Sequence, residues 1–501
     1  MRSSQIPVLK DDAAEAVRHR GSHLQIIASA GSGKTEVVAR RVADLFATGV
    51  EPSAVVAFTF TQRAAESLEA RIEERVADRP ELGSSFLDRL NGCYVGTIHG
   101  YCLRLLQAHV PRYETYDVLD EHRLAAFVTR EARRLEVKEL TGRLFSSISE
   151  FLASLDVVDN ELLGYDVLED PFREMVETFH GCLDQYRFLT YGRLVTEAVA
   201  ALQRPEVLAA VHGPLRHLVV DEYQDVNPAQ EALIRRLAEP PVELCVVGDD
   251  DQAIYQWRGS DVGNIVEFEG RYPRVATCYG QTVNRRSRPG IIEAANGVAA
   301  RIPGRLPKTM DPDRPSAEPE VVTWTAPTEA EEAELIAATI EQLRQRGYRY
   351  RDMAVLVRGR TSYPRLLHAF EGHRIPVAPG GRTGLFLSPD AQLFGKTFAW
   401  LAGHNWRPEP FGRGEAVELP ALLGEYQAAF GLSAESREPL GHRLSDWKEE
   451  VEHPTRPANL VHTFYDLLAD CGVAECPAST DRRHTVTPKR ARDQGVRARY
   501  G

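Results

Sequence analysis

Short, mostly apolar runs punctuate the first half of this chain: Leu24–Ala28, Val55–Phe58, Tyr94–Thr97, Leu218–Val220 and Leu244–Val247. Runs of that length predict strands of a parallel sheet covered on both faces. The first is followed by a small-residue turn and then KTEVVARRVADLF, where Val37, Val38, Val42, Leu45 and Phe46 recur at helical spacing. Residues 109–204 read as mostly helical. A second alternation begins near Ser287: EPEVVTW as a strand, EAEEAELIAATIEQLRQRG as an amphipathic helix closed by Gly347, and DMAVLVR as a buried strand. YPRLLHAFEGHRIPVAPGG then reads as a helix followed by a strand or turn. From about Phe398 helical pattern mixes with loop, and the stretch after Cys476 is basic without apolar periodicity.

Composition narrows the classes. With 501 residues and 43% apolar content the chain can fill about three domains. The net charge of −12 means that any track for nucleic acid is local, not global. No run of about 18 apolar residues predicts a membrane span, and MRSSQIPVLKDD has no apolar core of a secretory signal. The seven cysteines lack paired metal-ligand spacing, Cys471 and Cys476 being the only near pair. The expectation is a reduced, cytoplasmic, membrane-free protein.

Candidate chemistry starts at the first apolar run. Strand, Gly-rich loop and helix is the context in which backbone N–H groups and a helix N-terminus close around phosphate oxygens. Lys34 would reach the outer phosphates and Thr35 would hold Mg2+. The run Leu218–Val220 ends in Asp221 and Glu222; in that context Asp221 suits the metal and Glu222 the attacking water. Gln252, just past the run Leu244–Val247, can both donate to and accept from a γ-phosphate. The bland reading of Asp249–Asp251 is a charged loop, but the aromatic residues that follow argue otherwise. Tyr255 and Trp257 offer faces on which bases stack, with Arg258 beside them.

Six ordered stretches, ASAGSGKT, AFTFTQRAA, GTIHGYCLRLL, VVDEYQDVNPAQ, VVGDDDQAIYQWRGS and NRRSRPGIIEAAN, resemble the superfamily 1 DNA helicases of the UvrD/Rep/PcrA type. Weaker matches follow at DMAVLVRGR and PVAPGGRTGLFLSPDAQ, so that the likeness spans roughly Leu9 to Phe394. The resemblance implies an α/β fold: a RecA-like, P-loop motor domain (1–108 and 205–285) interrupted by a helical insertion (109–204). A partial second RecA-like domain (286–397), the start of a second helical insertion (398–476) and a basic tail (477–501) would follow. The tail is expected to be disordered, with nonspecific nucleic-acid contact as the other reading. By resemblance Ala28, Ser29, Ala30, Gly31, Ser32, Gly33, Lys34 and Thr35 hold ATP phosphates and Mg2+, with Arg41 and Arg285 also at the nucleotide. Asp221 and Glu222 serve metal and water, Gln252 contacts the γ-phosphate, and Arg286 stabilises charge on the transferred phosphoryl group. Phe60, Thr61, His99, Tyr255, Trp257 and Arg258 match positions lining a single-strand track.

The sequence also departs from the family's pattern. Ala28 stands at the first glycine of the phosphate loop, and Ala13 where a glutamine usually reads the adenine edge. Arg285 stands where a tyrosine usually stacks on adenine, which implies weakened discrimination for that base with phosphate binding intact. Two later motifs of the family are not found. The expectation is therefore that the remainder of the second motor domain is missing, through truncation or because a partner polypeptide supplies it. The leading functional expectation is an ATP-dependent DNA helicase or translocase, moving 3′ to 5′ by resemblance, acting on single-stranded DNA or junctions in repair, replication or defence. The alternative is a non-unwinding accessory that binds nucleotide and single-stranded DNA, and RNA unwinding is a third reading.

Overall fold

The computed structural model describes residues 11–272, 277–316, 320–378, 389–407, 414–432, 434–452 and 467. The chain divides into two compact units, Met1–Thr323 and Trp324–Gly501. The basic tail, Cys471, Cys476 and most of PVAPGGRTGLFLSPDAQ lie outside the described residues.

The strands of the first unit are β1 (Leu24–Ala28), β2 (Val55–Thr59), β3 (Tyr94–Thr97), β4 (Asp117–Val118), β5 (Phe188–Leu189), β6 (His217–Val220), β7 (Glu243–Gly248), β8 (Thr277–Gln281), β9 (Val283–Asn284) and β10 (Asp311–Pro312). Six of them form one parallel sheet in the order β3-β2-β6-β7-β1-β8. This is the α/β motor architecture that the resemblance implies. All five expected strands form, within a residue or two at each end. The sixth, β8, was not expected; it pairs with β1 and carries the chain on to Asn284–Arg286.

The apolar runs are continuous because both faces of the sheet are covered. Leu24, Ile26 and Ala28 of β1 pack with Val38, Val42 and Phe46 of helix α2 (Lys34–Ala47), beneath α1 (Asp11–Arg18) and α3 (Gln62–Ala77). Ile27 faces the other way, into a core with Phe58, Val220, Val246, α4 (Ile98–His109) and the helices Tyr191–Leu202 and Pro228–Leu237. That alternation along β1 is the two-residue period of a strand. A separate core between Leu119 and Leu183, built on Phe127, Phe151 and Phe179, sits in the helical stretch bounded by the β4–β5 ladder.

The described part of the second unit is helical. Helix Glu329–Gln345 starts on Thr328, whose side chain accepts from the Glu331 N–H, and the turn that follows it contains Gly347 at φ 95°. It packs Ala333, Ala337 and Ile340 against Leu366, Ala369 and Phe370 of helix Tyr363–Gly372. Helices Pro389–Leu401, Leu419–Phe430 and Ala434–Glu452 share a second core around Leu393, Tyr426 and Leu444.

Two expectations fail beyond the first sheet. Neither the described part of EPEVVTW nor DMAVLVR forms a strand. Val322 and Leu356 are exposed, Leu356 at 93%. An apolar run becomes a strand only when a neighbour accepts and donates its ladder hydrogen bonds. No described segment pairs with either run. Among the described residues no helix is long and apolar enough to cross a membrane.

Candidate nucleotide and strand site

In a parallel sheet the loops after successive strands emerge on one edge. Because β7 lies between β6 and β1, three loops meet there: Ser29–Gly33 after β1, Asp221–Asp225 after β6 and Asp249–Gln252 after β7.

The loop after β1 wraps tightly. Ser32 N–H donates to the Ser29 carbonyl at 3.2 Å, and Gly31 and Gly33 take φ of 69° and 104°. Such backbone suits glycine, and Gly33 is the residue from which α2 starts. A Cβ on Gly31 would lie 2.7 Å from Asn284 Oδ1, so the loop also needs glycine for space. The hydroxyls of Ser29 and Ser32 are buried with no hydrogen-bond partner among the described residues. Buried polar atoms left that way cost about 1–3 kcal/mol each. Their position at the start of a 14-residue helix fits an anionic ligand that would satisfy them.

Lys34, the first residue of α2, reaches across the sheet edge. Its Nζ donates to Glu222 Oε2 at 2.7 Å. Glu222 adopts left-handed backbone (φ 51°), which turns its side chain back toward the loop, and Gln224 Nε2 donates to the same oxygen at 2.9 Å. Asp221 is held at the end of β6 by its N–H, which donates to the Phe58 carbonyl at 2.9 Å. Burial and the adjacent Glu222 push the Asp221 carboxyl up to about 7, with Lys34 pulling the other way. Burial and Glu222 likewise raise Asp225 to about 6, and its Oδ1 has no partner among the described residues. Carboxylates crowded beyond what one lysine neutralises would suit a hard divalent cation such as Mg2+, to which Asp221 and the Thr35 hydroxyl could offer oxygens.

Hydrogen bonds then run on into the loop after β7. Gln224 Oε1 accepts from the Asp249 N–H at 3.0 Å, and Asp249 Oδ2 accepts from Gln252 Nε2 at 2.7 Å. Gln252 therefore lies one short network away from Lys34 and Glu222. Asp249, Asp250 and Asp251 bring ligand oxygens within 4.8 Å of one another. Two cations meet them: Arg305, 2.7 Å from Asp251, and Lys308, whose Nζ lies 3.1 Å from both Asp249 and Asp251 and bonds Asp250.

β8 and β9 deliver the arginines. Asn284 Nδ2 donates to the Ala30 carbonyl at 2.8 Å, the Arg285 N–H to Gly31 O at 3.0 Å, and Arg285 Nη1 to Ser32 O at 2.9 Å. Arg285 is thus folded onto the phosphate loop itself. Arg286, exposed, follows it. Arg41 does not join the site. It is 2% exposed and donates to the Ala16 and His19 carbonyls at the end of α1, both at 2.8 Å. A guanidinium committed to those carbonyls under the core is not available to nucleotide.

Beside the loop after β7 lies a row of rings. Phe60 and Tyr255 stack with centroids 5.1 Å apart, Tyr255 and Trp257 are 6.4 Å apart, and Arg258 lies 4.6 Å over the Trp257 ring. Trp257 is 74% exposed, so it is not a core residue. Thr61 caps α3, its hydroxyl accepting from the Ala64 N–H at 3.1 Å. His99, at the start of α4, packs edge-on against Tyr191, and burial pushes it down to about 4. At neutral pH the ring is therefore uncharged, and its ring contact is with Tyr191, not with the row.

Sequence reasoning missed Gln224, Asn284 and Lys308, which hold other residues in place. The only signal for the first was its place between the two acidic groups of DEYQD; the others lie far away in sequence.

Comparison with known proteins agrees with this geometry. Residues 9–273 match the family model of the UvrD/REP helicase N-terminal domain, and residues 281–391 that of the UvrD-like helicase C-terminal domain. The chain is 35% identical over 498 residues to ATP-dependent DNA helicase UvrD1 of Mycobacterium leprae, covering 92% of this chain and 61% of that protein. It is 34% identical over 379 residues to UvrD1 of Mycobacterium tuberculosis strain H37Rv, covering 71% of this chain and 47% of the relative. To ATP-dependent DNA helicase PcrA of Staphylococcus aureus strain NCTC 8325 it is 31% identical over 366 residues, covering 70% and 48%. The matches thus span about half to three fifths of the length of these relatives. With the phosphate loop, the acidic pair and the glutamine assembled on one sheet edge, and with the N-terminal family model matching more than half of this chain, the chain belongs to the UvrD/REP helicase family.

Proposed function

We propose that this chain carries the ATP-hydrolysing, strand-gripping half of a DNA helicase motor. The observation that carries the reading is the meeting of Lys34 and Glu222 at 2.7 Å beside buried hydroxyls of the phosphate loop that have no partner among the described residues. ATP is the substrate. Its phosphates would lie on the loop N–H groups, the α2 N-terminus and Lys34. Lys34 would then leave Glu222 for phosphate, freeing Glu222 Oε2 to take a proton from the attacking water. Water oxygen bonds to the γ-phosphorus, the bond to the β-phosphate oxygen breaks, and ADP leaves. Arg286 and Gln252 would meet the charge on the transferred phosphoryl group. Mg2+, held by Thr35 and Asp221, would neutralise phosphate charge.

Phe60, Tyr255, Trp257 and Arg258, with Thr61 and His99 at their flank, would hold an unpaired DNA strand by stacking. Trp257 is five residues from Gln252 in one loop, so a shift of the glutamine toward phosphate would move the rings. Movement 3′ to 5′, a cytoplasmic setting and a role in repair, replication or defence complete the reading, whose helicase activity is supported by relatives named as ATP-dependent DNA helicases. Base selection would be loose. Ala13 is buried in the core and offers no edge contact, and the Arg285 guanidinium is engaged with Ser32 O. Turnover of ATP and GTP within about tenfold of each other is expected.

DNA-stimulated release of phosphate from ATP by the purified chain tests the proposal; no release, with nucleotide bound, would refute it. A second reading, a nucleotide- and strand-binding accessory completed by a partner chain, rests on the exposed Leu356 and Val322 in runs patterned as strands. Strand separation by the chain alone would exclude it.

A further inference from the structure

Three residues of one segment outside the nucleotide loops, Arg305, Leu306 and Lys308, converge on Asp249–Asp251. Lys308, 6% exposed in its side chain, places its ammonium among Asp249, Asp250 and Asp251. Arg305 grips Asp251 with two parallel bonds of 2.7 Å, and the Leu306 N–H donates to Asp250 Oδ2 at 2.7 Å. Burial works against charging Asp251, yet the bonds from Arg305 and Lys308 outweigh it and hold this carboxyl below its usual range. The same segment continues to the arginine side of the site. Asp311 N–H donates to Thr282 O at 3.0 Å, β10 pairs with β9, and Asp313 N–H donates to Asn284 O at 3.1 Å. Arg314 Nη1 then donates to the Arg286 carbonyl at 2.7 Å. Asn296 fixes the middle, exchanging bonds of 3.0 and 3.1 Å with Met310.

We propose that residues 305–314 form a strap that holds Gln252 and Arg286 at a set spacing, with Lys308 and Arg305 as positioning residues for phosphoryl transfer. The inference rests on the function proposed above and deepens it. Gln252 is anchored through Asp249 Oδ2, while Asp249 Oδ1 faces Lys308. When Gln252 leaves Asp249 for phosphate, Lys308 keeps that carboxylate balanced, so the glutamine can exchange partners without the loop after β7 springing apart. Without the ammonium, three adjacent carboxylates would face one arginine, and like charges so close repel strongly. The glutamine and the row of rings on the same loop would then lose their fixed place, although no phosphate contact had been removed.

The test is Lys308→Met in the full chain, with Lys308→Arg and the double variant Lys308→Met/Asp250→Asn. Expected for Lys308→Met is a fall in DNA-stimulated kcat of about 10–100-fold, the usual effect of removing a group that holds a catalytic side chain. KM for ATP should change by less than about twofold, since ground-state phosphate contacts are intact. Removing one carboxylate in the double variant should restore most of the loss, and Lys308→Arg should keep most of the activity. A second measurement needs no turnover: binding of ADP with and without aluminium fluoride. Wild type should gain affinity with fluoride, Lys308→Met should lose that gain, and both should bind ADP alike. Should Lys308→Met fail to fold, Arg305→Lys should show the same pattern in weaker form. A wild-type kcat and fluoride gain in Lys308→Met would overturn the strap, as would a loss that Asp250→Asn does not relieve. A wild-type chain that binds no ADP would overturn the function reading and the strap with it; one that binds ADP without a fluoride gain overturns the strap alone.

Discussion

Replacing Glu222 by glutamine should change binding and chemistry in opposite directions. Lys34 donates to Glu222 Oε2 at 2.7 Å, with side-chain exposures of 10% and 35%. ATP has to break that pair before the lysine can reach phosphate. A hydrogen bond to a charged partner is worth about 1.5–3 kcal/mol when shielded. Water at the one-third-exposed glutamate lowers this to about 1–1.5 kcal/mol. Glu222→Gln removes the charge with the same shape and leaves Gln224 an amide to bond. ATP should therefore bind about 5–12-fold more tightly. Hydrolysis should fall about 10²–10⁴-fold, the usual contribution of a positioned base. Equilibrium titration with a fluorescent ATP analogue and Mg2+ gives the first quantity, and single-turnover phosphate release gives the second. A correctly folded variant that binds ATP no better than wild type would show that the Lys34–Glu222 pair does not compete with nucleotide. Hydrolysis retained within about tenfold would show that Glu222 is not the base.

Trp257→Ala should weaken single-stranded DNA binding by about 5–150-fold, the worth of one base stack, read by fluorescence anisotropy. Because the ring is 74% exposed the thermal midpoint should not move, and an unchanged affinity would place the strand elsewhere. Gly31→Ala forces a Cβ to within 2.7 Å of Asn284 Oδ1 at φ 69°. Left-handed backbone alone costs a non-glycine residue about 1–2 kcal/mol, so ATP affinity by calorimetry should drop at least about 5–30-fold while the sheet stays folded. His99 is held near 4 by burial against an ordinary value of 6.5, so the unfolded chain takes up this proton first as pH falls. Its stabilising contribution is complete above about pH 6.5 and is lost on the way down to about pH 4. His99→Gln should therefore flatten the fall of stability across that window by roughly 3 kcal/mol in urea unfolding, and parallel curves would refute the assignment.

Much of the site could be read before folding. The loop Ala28–Thr35, the pair Asp221–Glu222 and Gln252 are each local signals: a residue type at the end of an apolar run, where a parallel sheet exposes it. The structure brings all of them to one edge, and adds the exposed Trp257 row next to Gln252. Arg41 misled because its role depends on α1 and the residue just after it, whose carbonyls at Ala16 and His19 it bonds. DMAVLVR misled because its apolar alternation is only half of a strand.

What the sequence by itself determined is the set of elements and the reactive groups at their ends, since hydrophobic period and residue chemistry act over a few positions. What only the tertiary structure decided is which distant groups satisfy one another. Gln224 ties Glu222 to the backbone of Asp249, Asn284 locks the phosphate loop from 254 residues away, and Lys308 and Arg305 pair with three carboxylates that resemble a metal cluster. Buried donors, acceptors and charges must find partners within about 3 Å, and the partner is whatever the sheet order brings near, a relation that no local window of sequence records.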